Sequence, residues 1–409
     1  MILERLSSWK QGLSRNVVLL GVVSGLTDIS SEMLYPILPL FLTGVLNAPM
    51  SVVGLIEGVA EATASLLKAG GGWWSDHTRR RKPFAVWGYG ISSLSKPLLA
   101  LASTWHLVFL ARFLDRTGKG IRSSARDALI ADSTDRAHWG KAFGFHRAMD
   151  TLGAAVGPLV ALYLLEGRRL SYQSVFIIAF IPAVLGVLVL SLLVQELRPL
   201  DAPALPDGVQ GARPPALTAP PALSSEFKRF LGSYAVFCLG NSSDVFILLK
   251  AKDSGFSTTS IILAYVGYNI VYALAAMPAG WLSDHIGRRK TLACGLLIFS
   301  GVYLGFGLAS SLSALWLLFA AYGLYAAFTE NVAKAMVADL SVSSNRGTAM
   351  GVFQGSTGVL AFAASGMAGL LWTHVSPSAP FILAACCGLA SCVLVLAMPS
   401  GKQEPSCPA

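Results

Sequence analysis

Apolar residues in this chain gather in twelve long runs separated by short polar clusters. The runs lie near residues 17–42, 51–76, 83–103, 106–132, 140–166, 173–195, 229–252, 258–283, 291–310, 313–339, 346–374 and 379–398. Each holds about the ~20 residues that a helix needs to cross a hydrocarbon core of roughly 30 Å. The pattern predicts an all-α integral membrane protein with twelve transmembrane helices. It changes between residues 195 and 226, where Pro199, Pro203, Pro206, Pro214, Pro215, Pro220 and Pro221 stand among Ala, Gly and polar residues with no apolar run. Such a stretch reads as a flexible linker. It divides the chain into an amino-terminal six-helix bundle (1–195), a linker (196–228), a carboxy-terminal six-helix bundle (229–398) and a tail (399–409). Met1 to Lys10 lacks an apolar core followed by a small-residue cleavage site, so no removable signal peptide is expected.

Composition agrees with lipid as the main solvent: 54% of the residues are hydrophobic, 13% are charged, and the mean hydropathy is +0.60. The net charge of +9 would suggest nucleic acid in a soluble protein, but the placement of the 31 Lys and Arg residues argues otherwise. With residues at a span's very end counted in the adjoining loop, eighteen fall in the termini and even-numbered loops, four in the opposite loops (Arg168, Arg169, Lys250, Lys252), and nine within spans. This is the positive-inside bias. It places both termini in the cytoplasm of a prokaryote, with the chain in the cytoplasmic (inner) membrane, and no nucleic-acid partner is expected. The six cysteines, Cys238, Cys294, Cys386, Cys387, Cys392 and Cys407, form no Cys-x-x-Cys pair and read as small apolar filler.

The two sides of the linker repeat one another. Gly72-Trp-Trp-Ser-Asp76-His-Thr-Arg79-Arg-Arg81-Lys82 returns as Gly280-Trp-Leu-Ser-Asp284-His-Ile-Gly-Arg288-Arg-Lys290, with at least seven positions identical. The same offset, within one residue, aligns Ala131-Asp132 with Ala338-Asp339, Gly140 with Gly347 and Gly144 with Gly351. Two halves of six spans share one orientation, so the repeat is parallel about an axis along the membrane normal and encloses a central cavity. In each loop the aspartate is expected to accept hydrogen bonds from the first amides of a neighbouring helix, latching one helix to another.

Both loops resemble the G-x-L-x-D-R-x-G-R-[RK] loop of the major facilitator superfamily, between its second and third and its eighth and ninth helices. They depart from it at Asp76-His77, at Asp284-His285, and at Arg79, where Gly is usual. The fifth span carries Gly153-Ala-Ala-Val-Gly157-Pro158, which is similar to the superfamily's G-x-x-x-G-P exporter signature. Small residues four apart let backbones approach closely, and a proline kinks the helix. The resemblance implies alternating access driven by an ion gradient, commonly protons. Gly72, Asp76, Arg79, Arg81, Gly280, Asp284, Arg288, Gly153, Gly157 and Pro158 are then the candidate gating residues.

Charges within lipid are costly and usually face a cavity or a partner. The first span has Asp28 and Glu32, and the second Glu57 and Glu61; each pair is at i,i+4, on one helix face. These four are the candidate proton-coupling residues. The fourth span carries Arg112, Arg116, Lys119, Arg122 and Arg126 at steps of three or four, a cationic stripe expected to meet the cavity. Arg112 matches an arginine that the family links to proton transfer, although Asp115 and Arg116 replace the residues that usually follow. The Asp-Arg-x-Gly-Lys-Gly-Ile-Arg run resembles an uncharacterised prokaryotic branch. Arg112, Arg116, Lys119 and Arg122, with Asp244 and Asn269 of the second half, are the candidate substrate-binding residues. The stripe can recognise an anionic cargo through bidentate contacts. It can equally be neutralised by Asp28, Glu32, Glu57, Glu61, Asp115, Asp127 and Asp150. Pro36, Pro39, Tyr265, Tyr268 and Tyr272 are further candidates for cargo contact.

The chain has no phosphate loop, no His-Glu-x-x-His and no Gly-x-Ser-x-Gly, so neither an ATP-driven pump nor an enzyme is expected, and no cofactor or metal. The expected function is secondary active transport, by proton-coupled antiport that exports a metabolite, drug or metal chelate. Proton-coupled uptake of an organic anion is the alternative, and a non-transporting membrane receptor or scaffold is the reading from another class. The expected partners are a small-molecule substrate, protons and the lipid bilayer, with a monomer sufficient.

Overall fold

The computed structural model describes residues 13–78, 81–134, 139–196, 223–309, 311–341 and 346–398, without the side chains of 69–78, 139–140 and 346–347. Arg79, the side chains of Gly72 and Asp76, most of the linker and the tail therefore lie outside the described residues. The elements are α1 (Arg15–Leu34), α2 (Leu38–Gly44), α3 (Met50–Thr78), α4 (Lys82–Ala100), α5 (Trp105–Asp132) and α6 (Trp139–Leu162), which a π turn continues to Gly167. They continue with α7 (Tyr172–Leu193), α8 (Ser225–Gly240), α9 (Val245–Asp253), α10 (Thr258–Ile286), α11 (Arg288–Leu308), α12 (Leu312–Asp339), α13 (Arg346–His374) and α14 (Ala379–Ala397).

Serines set many of the starts. Ser14, Ser171, Ser224, Ser257 and Ser311 each accept the amide N–H three residues on, which satisfies one of the donors left free in a first helical turn. Among the described residues, ten segments are long and apolar enough to cross a membrane. The other two expected spans, α4 and α5, have crossing lengths of 19 and 28 residues but are more polar. α5 carries the whole cationic stripe, and it is enclosed between α3 and α4 rather than presented to lipid. Leu192 and Met277 are 75% and 84% exposed on the outside of the bundle, as expected where the solvent is hydrocarbon.

The first span of each half differs from expectation in being broken. Residues 35–37 separate α1 from α2 at Pro36, which has no N–H to continue the ladder. Residues 241–244 separate α8 from α9 without a proline; there the Ser243 amide leaves the helix and donates to Ser365 Oγ of α13 at 3.1 Å.

Asn16 bonds Gln195 and Ser133, Ser224 Oγ donates to the Leu340 carbonyl, and Arg289 donates to that of Met398. These contacts gather the helix ends nearest the chain termini on one face, called here the terminal face. The far face holds the turns at 45–49, 168–171, 254–257 and 375–378. Within the first half α1 packs on α6 and α7, and α3 and α4 on α5; the second half repeats this with α8 on α14 and α13, and α10 and α11 on α12. Among the described residues, two main seams join the halves, α3 with α13 and α6 with α10, and α9 also touches α2. At the first, a Cβ on Gly54 would run into the Ser365 carbonyl, and one on Gly369 would lie 2.5 Å from that of Met50. Glycine is therefore required for this backbone approach.

The loop latches correct one expectation. Asp284 pairs with the Arg288 side chain instead of capping neighbouring amides, and Arg288 Nε reaches Asp339 Oδ2 of α12 at 3.1 Å. In the first half Arg81, one position further along the repeat, meets Asp132 Oδ2 of α5 through Nε at 3.2 Å, an analogous ion pair. A guanidinium spans the gap that an amide dipole would leave. Gly287, with φ of +94°, makes the second loop's turn; its counterpart is Arg79. Gly280 has open space where its Cβ would be, so packing here does not demand glycine.

Candidate functional site

A cavity of about 710 Å³ lies between the halves at mid-depth. Its lining runs from Tyr35, Glu57, Arg112, Asp244 and Ser365 toward the terminal face, reaching Lys68, Ser123, Arg147 and Lys334. Toward the far face it is closed by the Gly54–Gly369 approach, by Phe246 against Trp372, and by Lys252 Nζ donating to Thr43 Oγ1 at 3.4 Å between α9 and α2.

All four proton-coupling candidates line this cavity, but in different states. Glu57 is buried and accepts from Arg112 Nε at 3.0 Å and from Nη2 at 2.7 and 2.8 Å, a two-pronged ion pair. It also accepts from Ser243 Oγ of the opposite half at 3.3 Å. Asp28, Glu32 and Glu61 have no base within 4.0 Å among the described residues. Glu32 accepts a short hydrogen bond from the Tyr265 hydroxyl of α10, again across the halves. Gly153 and Gly157 of α6 clasp the helix face that carries the acids. A Cβ on Gly153 would lie 2.7 Å from Asp28 Cβ, and one on Gly157 would lie 2.6 Å from the Ile29 carbonyl and 2.9 Å from Glu32 Cβ. Pro158 lies inside α6, one residue beyond this clasp.

The cationic stripe divides. Arg112 is taken by Glu57, and Arg126 pairs with Asp127 at 2.9 Å, away from the cavity lining. Arg116, Lys119 and Arg122 line the cavity without a carboxylate within 4.0 Å among the described residues. Arg122 rests on the Tyr89 ring, 4.2 Å from its centroid. Asp115, considered above as a neutraliser of the stripe, instead holds Lys96 of α4 at 2.9 Å and accepts from Ser92 Oγ.

In the second half Asp244 accepts from Tyr322 at 2.6 Å and from Tyr268 at 3.1 Å. Asn269 lines the cavity, but its amide donates to its own helix at the Tyr265 carbonyl, 2.9 Å away. Tyr265, Tyr268 and Tyr272 line the cavity, whereas Pro36 and Pro39 do not: they serve the break and the start of α2. Sequence reasoning missed Lys96, Ser243, Tyr322 and Tyr325. Lys96 carried a signal, a lone base within an apolar run; the others became visible only through their partners.

Two helix sets of the same sense around a charged mid-depth cavity closed on one side define a polytopic membrane transporter. The family model described as Major Facilitator Superfamily matches residues 20–249 and 230–406, and the chain belongs to that superfamily. It is 37% identical over 392 residues to an uncharacterized MFS-type transporter of Methanocaldococcus jannaschii, covering 94% of this chain and 95% of the relative. Over 161 residues it is 31% identical to the class C tetracycline resistance protein of Escherichia coli, covering 38% and 39% of the two chains. A crystal structure of a peptide transporter POT in complex with sulfate shares the fold, with a TM-score of 0.76 at 14% identity over 94% of each chain.

Proposed function

We propose that this protein exports a small organic molecule across a prokaryotic cytoplasmic membrane in exchange for protons, by alternating access of its two halves around the central cavity. Asp28 and Glu32 carry the reading. They stand one turn apart in the cavity without a basic partner, and Glu32 is bonded to the opposite half. A carboxylate closed off from water without a base is costly as an anion. Rocking the halves exposes and encloses these two groups in turn, and breaks the bond to Tyr265 each time, so proton uptake and release become linked to the change of access.

The arginine and lysine bias supports a cytoplasmic terminal face, onto which the cavity then opens. Export is supported by the Gly153–Pro158 signature and by local similarity to a tetracycline resistance protein. One observation favours the second reading, proton-coupled uptake of an organic anion: Arg116, Lys119 and Arg122 have no carboxylate partner.

The test is proteoliposomes with an internal pH dye, challenged from outside with pools of organic anions, metal chelates and cationic drugs. Antiport turns the interior alkaline as cargo enters, whereas cotransport turns it acid. Asp28→Asn and Glu32→Gln are expected to abolish the dye response. A response that survives neutralising Asp28, Glu32, Glu57 and Glu61 one at a time removes the proton assignment.

A further inference from the structure

The two walls of the cavity differ in what they leave unsatisfied. On the α5 wall, Arg116 is 9% exposed and Arg122 4%. Arg116 Nε, Arg122 Nε and Arg122 Nη1 are buried donors without an acceptor. Buried donors of this kind are rare in folded proteins because their desolvation is not compensated. Lys119 lies between them on the same helix, so the three charges span about 9 Å along its axis.

The opposite wall, from α10 and α12, has no such deficit. Tyr265, Tyr268, Tyr322 and Tyr325 line the cavity, and every one of their hydroxyls is engaged: on Glu32, twice on Asp244, and on Asn241. With each hydroxyl proton already given, what these tyrosines have left to offer is acceptor oxygens and, above all, their rings. The rings pack edge to face, Tyr265 on Tyr268 at 5.1 Å and 88°, and Tyr268 on Tyr322 at 5.2 Å and 89°. Both oxygens of Asp244 already accept hydrogen bonds, so this wall has acceptors that are satisfied while the facing wall has donors that are not.

We infer that the cargo is an aromatic organic anion, its acidic group held among Arg116, Lys119 and Arg122 and its ring against the Tyr268–Tyr322–Tyr325 wall. The inference rests on the reading of this cavity as the transport site. A cavity of about 710 Å³ suits such a molecule, since small-molecule sites commonly occupy roughly 300–1,000 Å³. A cationic cargo would leave the arginine donors unmatched, and a sugar would find no hydroxyl proton of these tyrosines free to donate.

The full-length protein in detergent tests this by equilibrium binding of benzoate, 2-naphthoate and anthraquinone-2-sulfonate. Cyclohexanecarboxylate, 2-naphthylmethanol and 2-naphthylmethylammonium serve as matched probes lacking the aromatic ring, the charge, or the sign of charge. At least one aromatic acid is expected to bind about tenfold more tightly than all three matched probes. Arg116→Gln and Arg122→Gln should each weaken that binding by about tenfold or more, and Arg116→Lys should keep part of it. Tyr322→Leu, which removes a ring from the wall, should weaken it by about threefold or more. Unfolding midpoints of the same variants separate lost binding from lost folding; if Arg116→Gln does not fold, Arg116→Lys and the probe series decide. The inference is overturned if cyclohexanecarboxylate, the alcohol or the ammonium binds as well as the aromatic acids do. A dye response confined to cationic drugs would also overturn it while leaving proton-coupled transport standing. Tight binding of the acids with no cargo-dependent proton movement would instead remove the coupling and keep the site.

Discussion

The amino-terminal half holds its most buried carboxylates with bases, and the carboxy-terminal half holds its own with phenols. Glu57 is gripped by Arg112 and Asp115 by Lys96, whereas Asp244 takes its bonds from Tyr268 and Tyr322. The difference has a physical consequence. An ion pair in a low-dielectric bundle fixes both charges, because neutralising one strands the other. A phenol donates to a carboxylate and accepts from a carboxylic acid, so its partner keeps a bond in either protonation state. The first arrangement is rigid and the second permissive, and they lie at similar depth in one cavity.

The largest expected effect comes from stranding a charge. Glu57→Gln and Asp115→Asn should each cost about 3–5 kcal/mol, read as a lower unfolding midpoint in detergent. The double variants Glu57→Gln with Arg112→Gln, and Asp115→Asn with Lys96→Met, should recover most of that loss. Without recovery, the pairs are not what distinguishes this half. Smaller losses are expected on the phenol side. Tyr322→Phe should cost roughly 1.5–3 kcal/mol if Asp244 is ionised and about 1 kcal/mol if it is protonated, so the size of the effect reports the state of the acid. The smallest belongs to the loop latch, where Asp284 and Asp339 are exposed and Arg288 is partly so. Arg288→Gln should cost no more than about 1 kcal/mol, and less at high salt.

Span positions were legible in the chain because lipid demands an apolar run of fixed length; the observed helices begin and end within a few residues of the runs. The break at Pro36 had a local cause that could be read. The break at 241–244 did not, since its stabilising partners, Ser365 and Tyr325, come from distant helices. The same limit applies to the site. That Asp28, Glu32, Glu57, Glu61 and four of the stripe's bases would share a cavity followed from helical spacing and the cost of charge in lipid. Which base would meet which acid depended on helix rotation: Arg112 found Glu57, but Asp115 turned away to Lys96, leaving Arg116, Lys119 and Arg122 for the cavity.

The glycine clasp between α1 and α6 bears on how fast such a molecule can turn over. With Gly153 and Gly157 seated against the backbone at Gly25 and Ile29, there is no slack for the two helices to slide past one another. They are geared to travel together as a single lever. In the cycle proposed above, each stroke renews the contacts that cross between the halves, among them Tyr265 to Glu32, Ser243 to Glu57 and Lys252 to Thr43, while the clasped pair keeps its packing.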